Sequence, residues 1–283
     1  MFYNLFCYLI FRKIFLKKFI FSIKNMWKKK HNSWVIRTEK EIEQLRKNAI
    51  VHKKVFDEIQ KVLKPWISAY DIDKLAWDIC KKYNVLAWFK WVYWFPWNIC
   101  ISMNDVVVHW VPTKKMIFKK GDVVKFDFWV KDKIIWMNTD AAITLIVWDW
   151  PWDPLVEKFL RVNKEALMKW VAKAVVWNRT WDIWYAIQKH VEENGFHIVR
   201  DLTGHGIGYK LHEKPYIYNY WKPGTWELLK KNMSLAIEPI IWMTTWKIKE
   251  VEGKFEIYMA DWWLWAQFEH TIIVKEAYPE III

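Results

Sequence analysis

The order in which helical and strand-like patterns follow one another restricts this chain to few architectures. Two segments with apolar residues at helical spacing come first, and five short β-rich runs follow them. Two more helical segments and further strands complete the chain. This order is typical of an α+β protein with a mainly antiparallel sheet covered by helices on one side. The two helix-then-strand halves are alike in length.

The predicted helices cover about residues 38–63, 71–82, 153–176 and 182–194. The first begins at a capping box, in which Thr38 accepts from the Glu41 amide and Glu41 reaches back. Strands are predicted over residues 98–103, 105–109, 122–130, 133–136, 139–147, 196–200, 234–241, 255–258 and 267–274. A chain of 283 residues is long enough for one sizeable domain with its own core.

Tryptophan is abundant and glycine is scarce. The chain has 25 tryptophans and 7 glycines, where ordinary usage gives about 20 glycines at this length. Several tryptophans follow prolines or helix ends, as at Trp66 and Trp97, where turns need the positive φ that glycine adopts without steric cost. We hypothesise that most of these positions are glycine in the cell, encoded by UGA codons that the printed translation reads as tryptophan. The alternative is a genuinely tryptophan-rich protein.

Basic charge is concentrated before the first helix. The net charge is +13, and residues 1–36 carry eight Lys or Arg and no acid, which leaves 36 basic and 31 acidic side chains, or +5, in residues 37–283. We interpret residues 1–36 as a basic N-terminal arm, or as a mistranslated leader if Met26 is the true start. A basic amphipathic anchor is the rival interpretation.

The arm lacks the features of a membrane span or a secretion signal. Its longest apolar stretch, residues 5–11, is far shorter than the roughly 20 residues that a bilayer requires, and it lacks the order of regions in a signal peptide. The three cysteines, Cys7, Cys80 and Cys100, have no zinc-like spacing. A cytoplasmic protein without a membrane span is therefore expected.

Five acidic or imidazole side chains lie inside apolar strand-like runs or a glycine-rich segment: Asp127, Asp140, His205, Glu238 and Glu269. A carboxylate within an apolar strand is costly to bury unless it is paired or bound to a cation. Four carboxylates and one imidazole suit a pair of hard or borderline divalent ions. The other histidines of interest, His31, His52, His190 and His197, are expected to be solvated surface or helix residues.

Five motifs occur in order along the chain after the arm. They are Asn98-Ile99-Cys100-Ile101-Ser102, Val108-His109-Trp110-Val111-Pro112, Gly204-His205-Gly206-Ile207-Gly208 with His212-Glu213-Lys214-Pro215, Ile237-Glu238-Pro239, and Gln267-Phe268-Glu269-His270-Thr271. With these motifs, residues 35–276 resemble a type I methionine aminopeptidase of the pita-bread (creatinase/aminopeptidase) fold. The resemblance implies a pita-bread metallopeptidase catalytic domain over residues 37–283 with pseudo-two-fold halves. That family would show glycine at or near Trp66, Trp91, Trp94, Trp110, Trp129 and Trp221.

The resemblance also implies a role for each candidate residue. Asp127, Asp140, His205, Glu238 and Glu269 would hold two divalent ions, with Co, Mn, Fe and Zn all compatible with these ligands. Glu238 would move a proton as general base and acid, His212 would donate to the carbonyl oxygen, and His109 would position the amide nitrogen. The methionine side chain would enter an apolar slot lined by Phe89, Val92, Phe95, Cys100 and Leu211. Asp127 and Asp140 are thirteen residues apart in the sequence, which exceeds the family's common spacing. Asn138 is then the only competitor for the second ligand, and as a neutral amide it is the poorer choice.

Three functions remain open at this stage. The first is removal of the initiator methionine from nascent polypeptides. The second is an Xaa-Pro aminopeptidase of the same fold, and the third is a catalytically inactive binding protein of that fold. The separation of 26 residues from His212 to Glu238 leaves no room for the long insertion of type II enzymes. The expected partners are nascent chains that begin with Met and, through the basic arm, the ribosome; no DNA contact is expected, and the protein is expected to be a monomer.

Overall fold

The computed structural model describes residues 36–91, 97–108, 113–147, 153–200, 202–220, 227–244, 248–250, 257–259 and 263–283. The helices in these ranges are α1 (Glu39–Val62), α2 (Ala69–Lys82), α3 (Pro154–Lys173) and α4 (Thr180–Glu193), with a short 3₁₀ helix at Trp88–Trp91. No helix among the described residues has both the length and the apolar composition that crossing a membrane would require.

The strands are short, and every ladder between them that the structure describes is antiparallel. They are β1 (Leu86–Ala87), β2 (Cys100–Met103), β3 (Val106–Val108), β4 (Val123–Lys131), β5 (Asn138–Ile146), β6 (His197–Ile198), β7 (Thr203–Gly206), β8 (Glu213–Tyr218), β9 (Ser234–Ile237), β10 (Ile240–Trp242), β11 (Ile248–Glu250), β12 (Ile257–Met259), β13 (Trp265–Gln267), β14 (His270–Ile273) and β15 (Glu280–Ile281).

These strands form four sheets. In one sheet, the central strand β4 pairs with β5 on one side and with β1 and β2 on the other. A five-stranded sheet has the order β15-β14-β9-β7-β8. Two three-stranded sheets, β13-β10-β6 and β11-β12-β3, complete the described part. The antiparallel α+β prediction is confirmed, but the strands divide among several sheets.

Two hydrophobic cores correspond to the two halves of the chain. One core joins α1 and α2 to the β4–β5 sheet through fully buried side chains such as Val55, Ile72 and Phe126. The other joins α3 and α4 to the five-stranded sheet through Phe159, Ile187 and others. Each half is therefore a helix pair packed on an antiparallel sheet.

Helix α1 begins where its capping residue predicts. Thr38 and Glu41 form the expected capping box, with the Glu41 amide donating to the Thr38 hydroxyl at 3.3 Å and the Thr38 amide donating to the Glu41 carboxylate at 2.7 Å. Ser68 and Asp71 form a second box. Since Ser68 is the cap, α2 begins two residues before the predicted start at residue 71.

The strand predicted over residues 133–136 is wrong, because this segment is the turn between β4 and β5. The Asp132 carboxylate accepts from the amides of Ile134, Ile135 and Met137 at 2.6 to 2.7 Å. A buried carboxylate that satisfies the amides of a tight turn removes them from any ladder.

Two further predicted strands are each interrupted at an acidic residue. The segment 234–241 divides into β9 and β10 around Glu238 and Pro239, because proline has no amide to donate to a ladder. The segment 267–274 divides into β13 and β14, and between them Glu269 forms a bridge with Ala142 instead. Both interruptions place a carboxylate where the sheets meet.

His52 was predicted to be a solvated surface or helix residue. It lies on helix α1, but it is fully buried rather than solvated. Its Nε2 lies 2.6 Å from the carbonyl oxygen of Phe128, and its Nδ1 lies 3.0 Å from the hydroxyl of Thr139. A carbonyl only accepts, so Nε2 carries the proton and Nδ1 accepts from Thr139. Burial lowers the pKa of His52 to about 4.

We expect this histidine to make folding sensitive to acid. The folded pKa lies below the unfolded value of about 6.5, so its stabilising contribution is complete above that pH and is lost as the pH falls toward 4. The loss amounts to about 3 kcal/mol of unfolding free energy. In urea unfolding, the unfolding free energy should differ less between pH 7 and pH 4.5 in His52→Gln than in the unchanged protein. The control His197→Gln, at an exposed position, should retain the full dependence; equal behaviour of both variants would contradict this.

Candidate metal centre and active site

The five candidate ligands lie on strands or directly next to strand ends. Asp127 and Asp140 are on the neighbouring strands β4 and β5, two steps apart in register. His205 is on β7 opposite Ala236, Glu238 directly follows β9, and Glu269 bridges to Ala142 of β5. The side chains therefore meet where the β4–β5 hairpin contacts the five-stranded sheet.

The glycine next to His205 lets the strand β7 come close to its neighbour. A Cβ on Gly204 would lie 2.6 Å from the carbonyl oxygen of Ala236, which is closer than real side chains come to a backbone atom. Glycine at this position therefore lets β7 pack closely on β9 and brings His205 to the same region as Glu238.

The distances among these side chains suit a metal site. Asp140, His205 and Glu269 each offer one ligand atom, and these atoms all lie within 4.8 Å of one another. His205 Nε2 is 3.8 Å from Asp140 Oδ2 and 3.8 Å from Glu238 Oε1. Asp127 lies near enough for its charge to act on both Asp140 and Glu238.

Burial and mutual repulsion disfavour the charged forms of these acids. Burial is the largest cause that raises the pKa of Asp127, Asp140, Glu238 and Glu269, and the charges of neighbouring carboxylates raise it further in the last three. Burial, followed by the neighbouring His212, lowers the pKa of His205 to about 3. A bound dication would stabilise the ionised carboxylates and the neutral imidazole together.

Several oxygens of this cluster are buried without a hydrogen-bond partner. They are Asp127 Oδ1, Asp140 Oδ1 and Glu269 Oε1. Buried carboxylate oxygens normally have partners, and oxygen and imidazole donors together suit borderline divalent metals. Because these buried oxygens lack partners, the residues of this cluster fit a bound divalent metal.

Asn138, the competing ligand, makes other contacts. Its amide nitrogen donates to the carbonyl of Gly208 at 2.6 Å and to that of Tyr209 at 3.2 Å. Asp140, in contrast, lies within the group of potential ligand atoms. At the tip of the β4–β5 hairpin, Asp132 orders the turn.

An apolar cluster and a second histidine border the acids. The His212 ring lies edge-on to His205 with centroids 4.4 Å apart. Phe89, Cys100 and Leu211, three of the residues assigned to the slot, pack together, and Trp129, Ile207 and Ala236 belong to the same cluster. The other residues assigned to substrate, His109, Val92 and Phe95, lie outside the described residues.

Sequence reasoning missed the contact that holds Glu238. Gln267 Nε2 donates to Glu238 Oε2 at 3.0 Å. The only signal in the sequence was the position of Gln267 in the same motif as Glu269, two residues before it. This bond fixes one oxygen of Glu238 and leaves Oε1 directed toward His205.

The fold and this donor set define a metal-dependent peptidase of the α+β pita-bread class. Residues 43–276 match the model of metallopeptidase family M24, and the chain belongs to that family. Divalent metal use follows from this membership.

Similar proteins support this assignment. The methionine aminopeptidase of Clostridium acetobutylicum is 35% identical over 248 residues, which cover 88% of this chain and 98% of the relative. The crystal structure of a methionine aminopeptidase from Thermotoga maritima superposes with a TM-score of 0.84 at 36% identity, covering 88% of this chain and 99% of that one. A prolidase from Pyrococcus furiosus shares the fold, with a TM-score of 0.68 at 19% identity over 88% of this chain and 65% of that one.

Proposed function

We propose that this chain removes the N-terminal methionine from polypeptides by metal-assisted hydrolysis of the first peptide bond. The observation that carries the proposal is the meeting of Asp140, His205, Glu238 and Glu269 around one buried region, with Asp127 beside them. Identity of 35% to a methionine aminopeptidase over nearly its whole length favours this substrate over the Xaa-Pro peptides of the alternative. An inactive relative would not need to retain every ligand.

Two divalent ions would be held by the four carboxylates and His205. When bound, such ions lower the pKa of a water molecule and polarise a carbonyl group. The chain's own part is to supply anionic oxygens from two sheets and to keep His205 neutral. Four carboxylates and one imidazole provide enough ligands for two ions, which supports two ions rather than one.

Glu238 is the proposed proton carrier. Its Oε2 is held by Gln267, so Oε1 exchanges the proton: it accepts from the attacking water and returns it to the leaving amine. His212, beside His205, would donate to the carbonyl oxygen as negative charge develops there. His109 would position the peptide nitrogen, and the apolar cluster around Phe89, Cys100 and Leu211 would receive the methionine side chain together with Val92 and Phe95.

The finer assignments follow the same line. The short separation of His212 and Glu238 supports a type I enzyme. We assign residues 37–283 to the catalytic domain and residues 1–36 to a basic arm or leader. Nascent chains in the cytoplasm are then the substrates, the arm is the element that would contact the ribosome, and a monomer suffices because all five ligands come from one chain.

The tryptophan-rich composition belongs to this proposal as well. Trp66, Trp136 and Trp177 have φ of 77°, 66° and 76° and are exposed, as expected if glycine is the natural residue. Buried indole nitrogens of Trp97, Trp170, Trp184 and Trp242 lack hydrogen-bond partners, which is unusual for native tryptophan. These observations support glycine at most of the positions. UGG codons there would contradict it.

The function is tested with the chain synthesised with glycine at UGA-encoded positions. We expect it to release methionine from Met-Ala-Ser in the presence of Mn²⁺, Co²⁺, Fe²⁺ or Zn²⁺, and to lose this activity when a chelator removes the metal. Methionine release is measured by chromatography, with Ala-Pro-Ser as the control substrate. Cleavage of the Xaa-Pro peptide alone would favour the alternative enzyme, and no hydrolysis with any of the four metals would favour an inactive relative.

A further inference from the structure

Strand β5, which carries Asp140, shares little backbone pairing with the segment around Glu269. Between the described residues 138–147 and 263–274, the backbone contributes a single hydrogen bond, from the Glu269 amide to the Ala142 carbonyl at 2.9 Å. One such bond does not fix the spacing of two strands. Additional contacts must define how far apart the two carboxylates lie.

Two threonine hydroxyls lie on either side of this single bond. The Thr271 hydroxyl accepts from the Asp140 amide at 2.9 Å and donates to the Asp140 carbonyl at 2.7 Å. The Thr144 hydroxyl accepts from the Gln267 amide at 3.1 Å and donates to the Gln267 carbonyl at 2.7 Å. The arrangement is reciprocal, because each threonine lies on one strand and binds both backbone groups of the residue opposite on the other strand.

These four hydrogen bonds between side chain and backbone join β5 to β13 and β14, with which it forms no ladder among the described residues. Thr144 and Thr271 are buried, with 2% and 0% exposure, as are Asp140 and Gln267. Removing either hydroxyl would leave a buried amide and a buried carbonyl without these partners, and the strands would move to restore hydrogen bonds. A shift of the Asp140 backbone would change the position of its carboxylate relative to Glu269.

We propose that Thr144 and Thr271 are positioning residues that set the separation of the Asp140 and Glu269 carboxylates and thereby the affinity of the site for divalent metal. The inference rests on the proposed function, since it takes these carboxylates as ligands. Thr144 acts on a third ligand too, because the backbone that it binds belongs to Gln267, whose side chain holds Glu238 at 3.0 Å. The pair thus orders ligands from both halves of the chain.

The test is calorimetric titration of the metal-free full chain with Mn²⁺. Thr271→Val keeps the size of the side chain and removes the hydroxyl, and we expect it to weaken Mn²⁺ binding about 10- to 100-fold. Thr271→Ser keeps the hydroxyl and should bind nearly as the unchanged protein does. The matched control is Thr139→Val, which removes an equally buried hydroxyl next to Asp140 that contacts His52 instead.

Metal affinity separates positioning from general stability. Both valine variants should lower the thermal midpoint of the metal-free protein, but only Thr271→Val should weaken Mn²⁺ binding. Equal affinities in Thr271→Val and Thr139→Val, or no recovery in Thr271→Ser, would overturn the inference. If Thr271→Val does not fold, Thr144→Val decides in the same way. Absence of Mn²⁺ binding by the unchanged protein would instead contradict the proposed function itself.

Discussion

Replacing Glu238 by glutamine in the active protein is expected to lower kcat for methionine release by about 10² to 10⁴-fold, the range typical of a lost general acid or base. The amide has nearly the same size and still presents an oxygen to Gln267 Nε2, which lies 3.0 Å from Glu238 Oε2. It cannot accept a proton at the position of Oε1, which faces His205 at 3.8 Å. The loss should therefore appear in turnover at saturating substrate.

The measurement is steady-state kinetics on Met-Ala-Ser together with the thermal midpoint of the metal-free variant. That midpoint should not fall, since the substitution removes a buried carboxyl whose pKa is raised by burial. The control is Glu276→Gln, which breaks only an exposed ion pair with Lys231 and should retain full kcat. A Glu238→Gln enzyme with unchanged kcat would remove Glu238 from the proton transfer.

The helices could be predicted from the sequence because their signals are local. A capping residue such as Thr38 and the apolar spacing that follows it lie within a few positions of one another, and the structure confirms this helix. The strands depended on distant partners. The β7–β8 hairpin was not predicted, because glycines such as Gly204 and Gly206 are typical of loops. They lie in a strand here because β7 packs closely against β9.

The candidate ligands could also be identified early, for an energetic reason. A carboxylate in an apolar strand requires a compensating charge wherever that strand lies, so Asp127 and Glu238 could be singled out before their neighbours were known. The residues that position these ligands could not be predicted from the sequence. Thr144, Thr271 and Gln267 are ordinary strand residues, and their contacts exist only because β5 packs against β13 and β14.

Trp129 occupies the apolar cluster that the substrate side chain would need. Its ring stacks on Phe89 with centroids 3.8 Å apart and planes 16° apart, and it lies edge-on to His212 at 5.8 Å. It is 6% exposed and sits opposite Asp140 in the β4–β5 ladder. An indole in this place fills the space beside the candidate metal ligands, whereas glycine would open it.

Trp129→Gly in the chain as printed is therefore expected to raise kcat/KM for Met-Ala-Ser by about 100-fold or more, since even a single methylene in such a slot changes kcat/KM by about 10- to 200-fold. Gly-Ala-Ser, which places no side chain in the slot, should gain far less. The matched control is Trp177→Gly, at an exposed position with φ of 76°. It should stabilise the fold by relieving backbone strain and leave the ratio of kcat/KM for the two peptides unchanged. An equal gain on both peptides, or none on the methionine peptide, would show that residue 129 does not border the slot.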